Sequence, residues 1–138
     1  MSDNSFIVTN VIIYAFSSSD TEKRKKALNL FLNESFPTIS IQVLNEFCNI
    51  QKKKFKINNP DIKTNLGLIL EKTKLFSNSY NDIVLACDIS GKYHYSYYDS
   101  LIISSALNNN CSILYSEDMQ NNQVIENKLT IINPFVKI

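Results

Sequence analysis

Three acidic residues stand where carboxylates are expensive. Glu46 lies in Ile41-Gln42-Val43-Leu44-Asn45-Glu46-Phe47, Asp99 in Tyr97-Tyr98-Asp99-Ser100-Leu101-Ile102-Ile103, and Asp118 in Leu114-Tyr115-Ser116-Glu117-Asp118-Met119-Gln120. Each follows or interrupts an apolar run suited to a core. Carboxylates held near a core need a cation or a hydrogen-bond network to offset their mutual repulsion and lost hydration. Three of them at separate strand or helix ends therefore point to a shared metal site.

The elements that must position them follow from the pattern of apolar residues. Residues 5–9 predict a buried strand, and Asn10 is placed to cap a short helix through Ala15. Beyond the polar Ser17-Ser18-Ser19-Asp20, the spacing of Ala27, Leu28, Phe31 and Leu32 predicts a helix, with Lys23 to Lys26 on its solvated side. Thr38-Ile39-Ser40 reads as a second strand. Ser40 then caps a helix carrying Val43, Leu44, Phe47 and Ile50, beside which Glu46 lies.

Asn58-Asn59-Pro60-Asp61 opens a helix expected to reach about Lys74, with Ile62, Leu66, Ile69 and Leu70 inward. Asp82 to Ser90 reads as helix with Ile83, Ala86 and Cys87 inward, and Gly91 as its stop. Another helix starts after Ser96 and carries Leu101, Ile102, Ser105 and Ala106. Asn108-Asn109-Asn110 marks a turn, and 111–115 and 129–132 read as strands. Strands alternating with helices of this length predict an α/β fold with a mainly parallel sheet of four or five strands. Ligands of such folds sit beyond the C-terminal strand ends where strand order reverses, which is where these acids fall.

Composition narrows the chemistry. The 138 residues suit one domain, spanning 1–138, that buries roughly 68% of its unfolded surface. With 44% hydrophobic and 20% charged residues the chain is an ordinary globular protein, and a net charge of +1 makes no case for nucleic acid by itself. Cys48, Cys87 and Cys111 are scattered and His94 is the lone histidine, which disfavours a Cys/His zinc site and a disulfide framework. The cysteines read as small core fillers in a reducing compartment, and a cytoplasmic location is expected. No stretch approaches the ~20 apolar residues of a membrane span. Two distant glycines, Gly67 and Gly91, argue against a Gly-rich phosphate loop. No nucleophile elbow accompanies the lone histidine, which argues against a serine hydrolase.

Taken in order, four segments resemble the PIN-domain family and, within it, the VapC-type toxin ribonucleases of toxin–antitoxin pairs. The family's opening Asp-Thr-Asn, apolar residues and Tyr-Ala are matched by Val8-Thr9-Asn10-Val11-Ile12-Ile13-Tyr14-Ala15. The helix-borne glutamate matches Glu46. The aspartate opening an Ile-, Ala- and Ser-containing helix matches Asp99 to Ala106, and Ser116 to Gln120 with Asn133-Pro134-Phe135 matches the last motif. The resemblance spans essentially the whole chain. It implies a PIN-like three-layer α/β/α sandwich and a Mg²⁺- or Mn²⁺-dependent endoribonuclease, whose carboxylates hold metal that activates water against a phosphodiester.

On this resemblance Glu46, Asp99 and Asp118 are the metal ligands and are expected to converge within reach of one ion. Asn10 and Ser116 orient ligands or the scissile phosphate. The departure is Val8, which stands where the family has its first aspartate and offers no lone pair to a cation. Impaired catalysis is the expectation, whether the change is natural to a degenerate member or was introduced or selected against toxicity. An RNA substrate, a cognate antitoxin protein and a homodimer are the implied partners.

Simpler readings exist for each residue. Glu46 reads also as a helix-surface acid, Asp99 as an N-terminal cap and Asp118 as a turn residue. Lys52, Lys53 and Lys54 end the Glu46 helix, either as cations complementing its dipole or as contacts to RNA phosphates. Glu117 reads as a peripheral acid and Phe135 as core, while Tyr93, Tyr95, Tyr97 and Tyr98 divide between packing and base stacking. The competing function is a non-catalytic PIN-like module that binds RNA or a partner. A phosphate-handling receiver-type domain is weakened by the missing acidic pair at one strand end and the absent strand-end lysine.

Overall fold

The computed structural model describes residues 4–33 and 36–136; residues 1–3, 34–35 and 137–138 of the single unit expected over 1–138 lie outside them. Six strands form one sheet in the order β3-β2-β1-β4-β6-β5. They are β1 (Ser5–Ile7), β2 (Thr38–Ser40), β3 (Lys74–Phe76), β4 (Ile113–Tyr115), β5 (Val124–Ile125) and β6 (Leu129–Ile132). All neighbours run parallel except β5, which is antiparallel to β6. The helices are α1 (Thr9–Ala15), α2 (Thr21–Asn33), α3 (Ile41–Lys53), α4 (Asn59–Lys72), α5 (Tyr80–Tyr93) and α6 (Tyr97–Asn108).

Crossovers between parallel strands are right-handed as a rule, and the strand order then sets the layering. The connections β1–β2 and β2–β3 step one way along the sheet, and β3–β4 steps back past β1, so their helices cover opposite faces. The inner strands β1 and β2 are buried along their whole length, as expected of a sheet covered on both faces. Phe6, Ile7, Ile39, Leu114 and Ile131 are fully buried in the sheet, and Val11, Ile12, Val43, Phe47, Ile89 and Ile103 pack on it from the helices. The α/β class with a mainly parallel sheet is thus as expected.

The differences lie at edges and surfaces. The helix expected to reach Lys74 stops at Lys72, and 74–76 instead form an edge strand paired with β2. Its burial is slight, so no apolar run announces it. The two-residue β5 was likewise not expected. Helix α5 runs through Gly91 to Tyr93 and ends on His94 in the left-handed region, φ 64°. Cys87, Ile83 and Leu70, expected inward, are exposed, whereas Cys111 is buried.

Candidate active site

The strand order places two chain ends side by side. In the β1–β4 pairing Ile7 lies opposite Tyr115, so Val8 and Ser116 are the first residues past adjacent strand ends. This is where strand order reverses, the crevice position of an open α/β sheet. Val8 N–H donates to the Tyr115 carbonyl at 3.2 Å and the Val8 carbonyl accepts from Ile12 N–H at 3.2 Å. Val8 therefore caps α1 by backbone alone, with no side-chain cap. Asn10, expected as that cap, sits inside the first turn, and its side chain turns to other work.

Thr9 and Asn10 each hold an acid. Thr9 Oγ1 donates to Glu46 Oε1 at 2.9 Å, fixing α3 to α1. Asn10 Nδ2 donates to Asp118 Oδ2 at 2.9 Å, and Asn10 Oδ1 accepts from Glu117 N–H at 3.4 Å. Ser96 caps α6 by accepting from Asp99 N–H at 3.2 Å, which leaves Asp99 in the first turn where the helix dipole favours an anion. Ser116 is buried, and its Oγ accepts from Met119 N–H at 3.4 Å, shaping the turn that carries Asp118.

Val8, Asn10, Glu46, Asp99, Ser116 and Asp118 all line one cavity of about 210 Å³. Burial pushes the Glu46 carboxyl above the ordinary range; the Thr9 bond works against that shift and Asp99 adds to it. Burial also raises Asp99, opposed by Ser96 and reinforced by Asp118. Adjacent acids thus repel in sequence from Glu46 through Asp99 to Asp118.

Oxygen donors of this kind suit a hard divalent ion. Their arrangement does not. Among the described residues, no three His, Cys, Asp or Glu side chains form a group that could hold a metal ion. The cavity collects Glu46, Asp99 and Asp118, but not around one point, and the wall between strands β1 and β4 is closed by a valine that is only 5% exposed.

The sequence matches the PIN-domain family model over residues 5–124. The chain belongs to the PIN-domain family. Solved structures with this fold include VapC20 of Mycobacterium tuberculosis, a sarcin–ricin-loop-cleaving toxin, at 12% identity and TM-score 0.66, covering 80% of this chain and 87% of that one. A toxin–antitoxin complex from Klebsiella pneumoniae matches at 16% identity and TM-score 0.70, over 95% and 98% of the two chains. VapBC2 of Rickettsia felis, bound to a fragment of promoter DNA, matches at 19% identity and TM-score 0.60, over 83% and 87%. Comparison with curated protein sequences gives no significant match.

Within this PIN domain one cluster escaped the sequence reading. Tyr14 Oη donates to Glu117 Oε1 at 2.9 Å, and Lys23 forms an ion pair with the Glu117 carboxylate while donating to Tyr14 Oη at 3.3 Å. The Lys23 ammonium also sits 4.8 Å from the Tyr14 ring centre and 5.5 Å from that of Phe135. Lys23 is therefore not simply part of a solvated face, nor is Glu117 a free peripheral acid. Tyr14 stood in a quoted motif, but nothing local links it to Lys23 or Glu117. Of the three candidate RNA-binding lysines, Lys54 borders a cavity beside Asp118, whereas Lys52 and Lys53 are exposed and line none of the cavities around the acids.

Proposed function

We propose that this chain is a toxin-type PIN endoribonuclease, acting in a type II toxin–antitoxin pair, whose Mg²⁺- or Mn²⁺-dependent chemistry is impaired by Val8. The observation that carries the reading is the meeting of Glu46, Asp99 and Asp118 in one cavity at the strand-order reversal, in a chain of this family. Divalent ions supply such sites with an acidified water and charge neutralisation at the phosphate. Here the chain's own residues hold Glu46 through Thr9 and Asp118 through Asn10, so two of three acids are already oriented. A carboxylate at residue 8 is what the set lacks.

A second reading, a non-catalytic binder of RNA or a partner, is favoured by the same valine and by the absence of a three-acid group among the described residues. RNA cleavage by the parent chain and by Val8→Asp, each with Mg²⁺, Mn²⁺ or chelator, separates the two. Metal-dependent cleavage by Val8→Asp with little or none by the parent supports the impaired nuclease. RNA binding without cleavage by either chain favours the binder.

An antitoxin partner and a homodimer belong to the same proposal. Phe16, Leu28, Phe31, Leu68 and Ile69 line an apolar groove of about 430 Å³ between α2 and α4, suited to an amphipathic partner helix. Ile83 and Val84 leave exposed apolar surface on α5 suited to self-association. No helix among the described residues is long and apolar enough to cross a membrane, and action in the cytoplasm is part of the reading.

A further inference from the structure

Asp99 and Asp118 reach their common cavity from two different supports. Asp99 opens α6, which is joined to α5 by residues 94–96 alone and packs against it as a helical hairpin. Asn108 Nδ2 donates to the Asp82 carboxylate, and Ser104 Oγ to the Asp82 carbonyl at 2.7 Å, so the end of the hairpin away from Asp99 is fastened. Asp118 instead sits in the turn that follows β4.

The backbone of that turn is held by side chains. Glu117 N–H donates to Asn10 Oδ1 at 3.4 Å, Met119 N–H to Ser116 Oγ at 3.4 Å and Gln120 N–H to Tyr95 Oη at 3.1 Å. These bonds, rather than a strand ladder, satisfy the turn's donors and set its shape. Two of the three acceptors come from outside the turn, Asn10 from α1 and Tyr95 from the loop between α5 and α6.

Tyr95 is tied at both ends. Its hydroxyl accepts from Gln120 and donates to Gln123 Oε1 at 2.5 Å, using both of its hydrogen-bonding roles. Its carbonyl accepts from Ser90 Oγ at 2.8 Å, in the last turn of α5, and from Ser100 Oγ at 3.4 Å, next to Asp99. Among the described residues, every hydrogen bond from the hairpin 80–108 to residues 116–123 comes from the Tyr95 hydroxyl.

We infer that Tyr95 is a positioning residue for the proposed ribonuclease reaction: its hydroxyl fixes the turn bearing Asp118 against the helix bearing Asp99, and so sets the separation of these two acids. The inference rests on the ribonuclease reading above and adds one residue to its machinery. Tyr95 does not line the cavity of the acids, so it acts through the turn and not on substrate. The spacing matters because Asp118 already pushes the Asp99 carboxyl upward across the cavity.

Tyr93 supplies a matched control. Its hydroxyl accepts from Glu126 N–H at 2.9 Å and donates to Glu126 Oε2 at 3.1 Å, clasping the same hairpin to a turn that carries none of the three acids. Amide hydrogen exchange is measured on the parent chain and on its Tyr95→Phe and Tyr93→Phe variants. RNA cleavage in magnesium buffer is measured with both substitutions in the Val8→Asp background. Tyr95→Phe should speed exchange roughly tenfold at Gln120 and also at Glu117 and Met119, whose own acceptors are untouched, with α6 amides within about twofold. Its kcat should fall roughly tenfold with KM within about twofold, the split expected when alignment rather than binding is lost. Tyr93→Phe should lower the melting temperature by a similar amount, about 5 °C or less, yet leave kcat and the 117–120 amides unchanged.

Faster exchange confined to Gln120, an unchanged kcat for Tyr95→Phe, or an equal kcat loss for Tyr93→Phe would overturn the assignment and leave the ribonuclease reading standing. A Val8→Asp chain that cleaves no RNA would sink the ribonuclease reading, and the role of Tyr95 in that reaction with it. Slackened turn amides would then report a structural clasp alone.

Discussion

Thr9 Oγ1 donates to Glu46 Oε1 at 2.9 Å from the position immediately after Val8. Asn10, one residue further, holds Asp118 in the same way. The first turn of α1 thus secures two acids from distant parts of the chain, 37 and 108 residues away, while Val8 beside them contributes only apolar surface. Under the proposed nuclease reading, residue 8 is the position in this turn at which a further carboxylate would stand.

Val8→Asp should therefore have opposite effects with and without metal. In chelator it places a fourth acid at a buried position next to three others, costing roughly 2–4 kcal/mol of stability. With Mn²⁺ or Mg²⁺ in about hundredfold excess over its dissociation constant, roughly 2.7 kcal/mol returns through binding to the folded state. Thermal melts should show the variant below the parent in chelator and rising steeply with metal, while the parent hardly moves. A variant insensitive to both ions would remove the explanation offered for Val8.

Glu46→Gln tests the electrostatic cost of the metal-free site. Because burial raises the Glu46 carboxyl in the folded state, folding favours its protonated form. Its favourable contribution is present below the unfolded carboxylate range and is lost as pH rises through the higher folded value. Glutamine keeps the shape and can still accept from Thr9. In chelator its melting temperature should exceed the parent's at neutral pH, with the gap closing as pH falls into the ordinary carboxylate range. Glu126 has the opposite sign: Lys92 and Tyr93 hold its carboxyl low, so its contribution is present above the ordinary range and lost on acidification. Glu126→Gln should thus lose stability only at the higher pH, and less in high salt, since the pair is exposed.

Much of this arrangement could be read from local signals. Ser40 caps α3 as expected, and Ser96, just before the expected start of α6, caps that helix in place of Asp99, because a serine before an apolar helical stripe can accept from a free backbone N–H. Residues Glu46, Asp99 and Asp118 were legible as deviations from core character. What was hidden depends on partners distant in sequence. The three-residue β3 exists because β2 offers it an edge, and β5 because a turn through Glu126 and Asn127, both at positive φ, folds it onto β6 without a glycine. Asn10 looked like a cap because the helix start was set two residues late; the backbone of Val8 does that job, freeing the amide for Asp118. Lys23 looked solvated because its partner Glu117 lies 94 residues away.

That last pair supplies a further test. Lys23 joins α2 to the turn after β4 through Glu117, and Tyr14 completes the triangle from α1. Asn10 meets the same turn twice, at Glu117 N–H and at the Asp118 carboxylate. Lys23→Met keeps most of the apolar stem over Tyr14 and Phe135 but removes the charge that neutralises Glu117. Its partly exposed setting makes the stability loss small and smaller still in high salt. The local effect should be larger: with Glu117 unpaired beside Asp118, two like charges compete for one turn. In a Val8→Asp background, Lys23→Met should weaken Mn²⁺ binding several-fold by calorimetry, while Lys23→Arg, which retains the charge, should stay within about twofold of the unsubstituted background. Equal metal affinity in all three proteins would mean that the 116–118 turn holds Asp118 in place without the Lys23 pair.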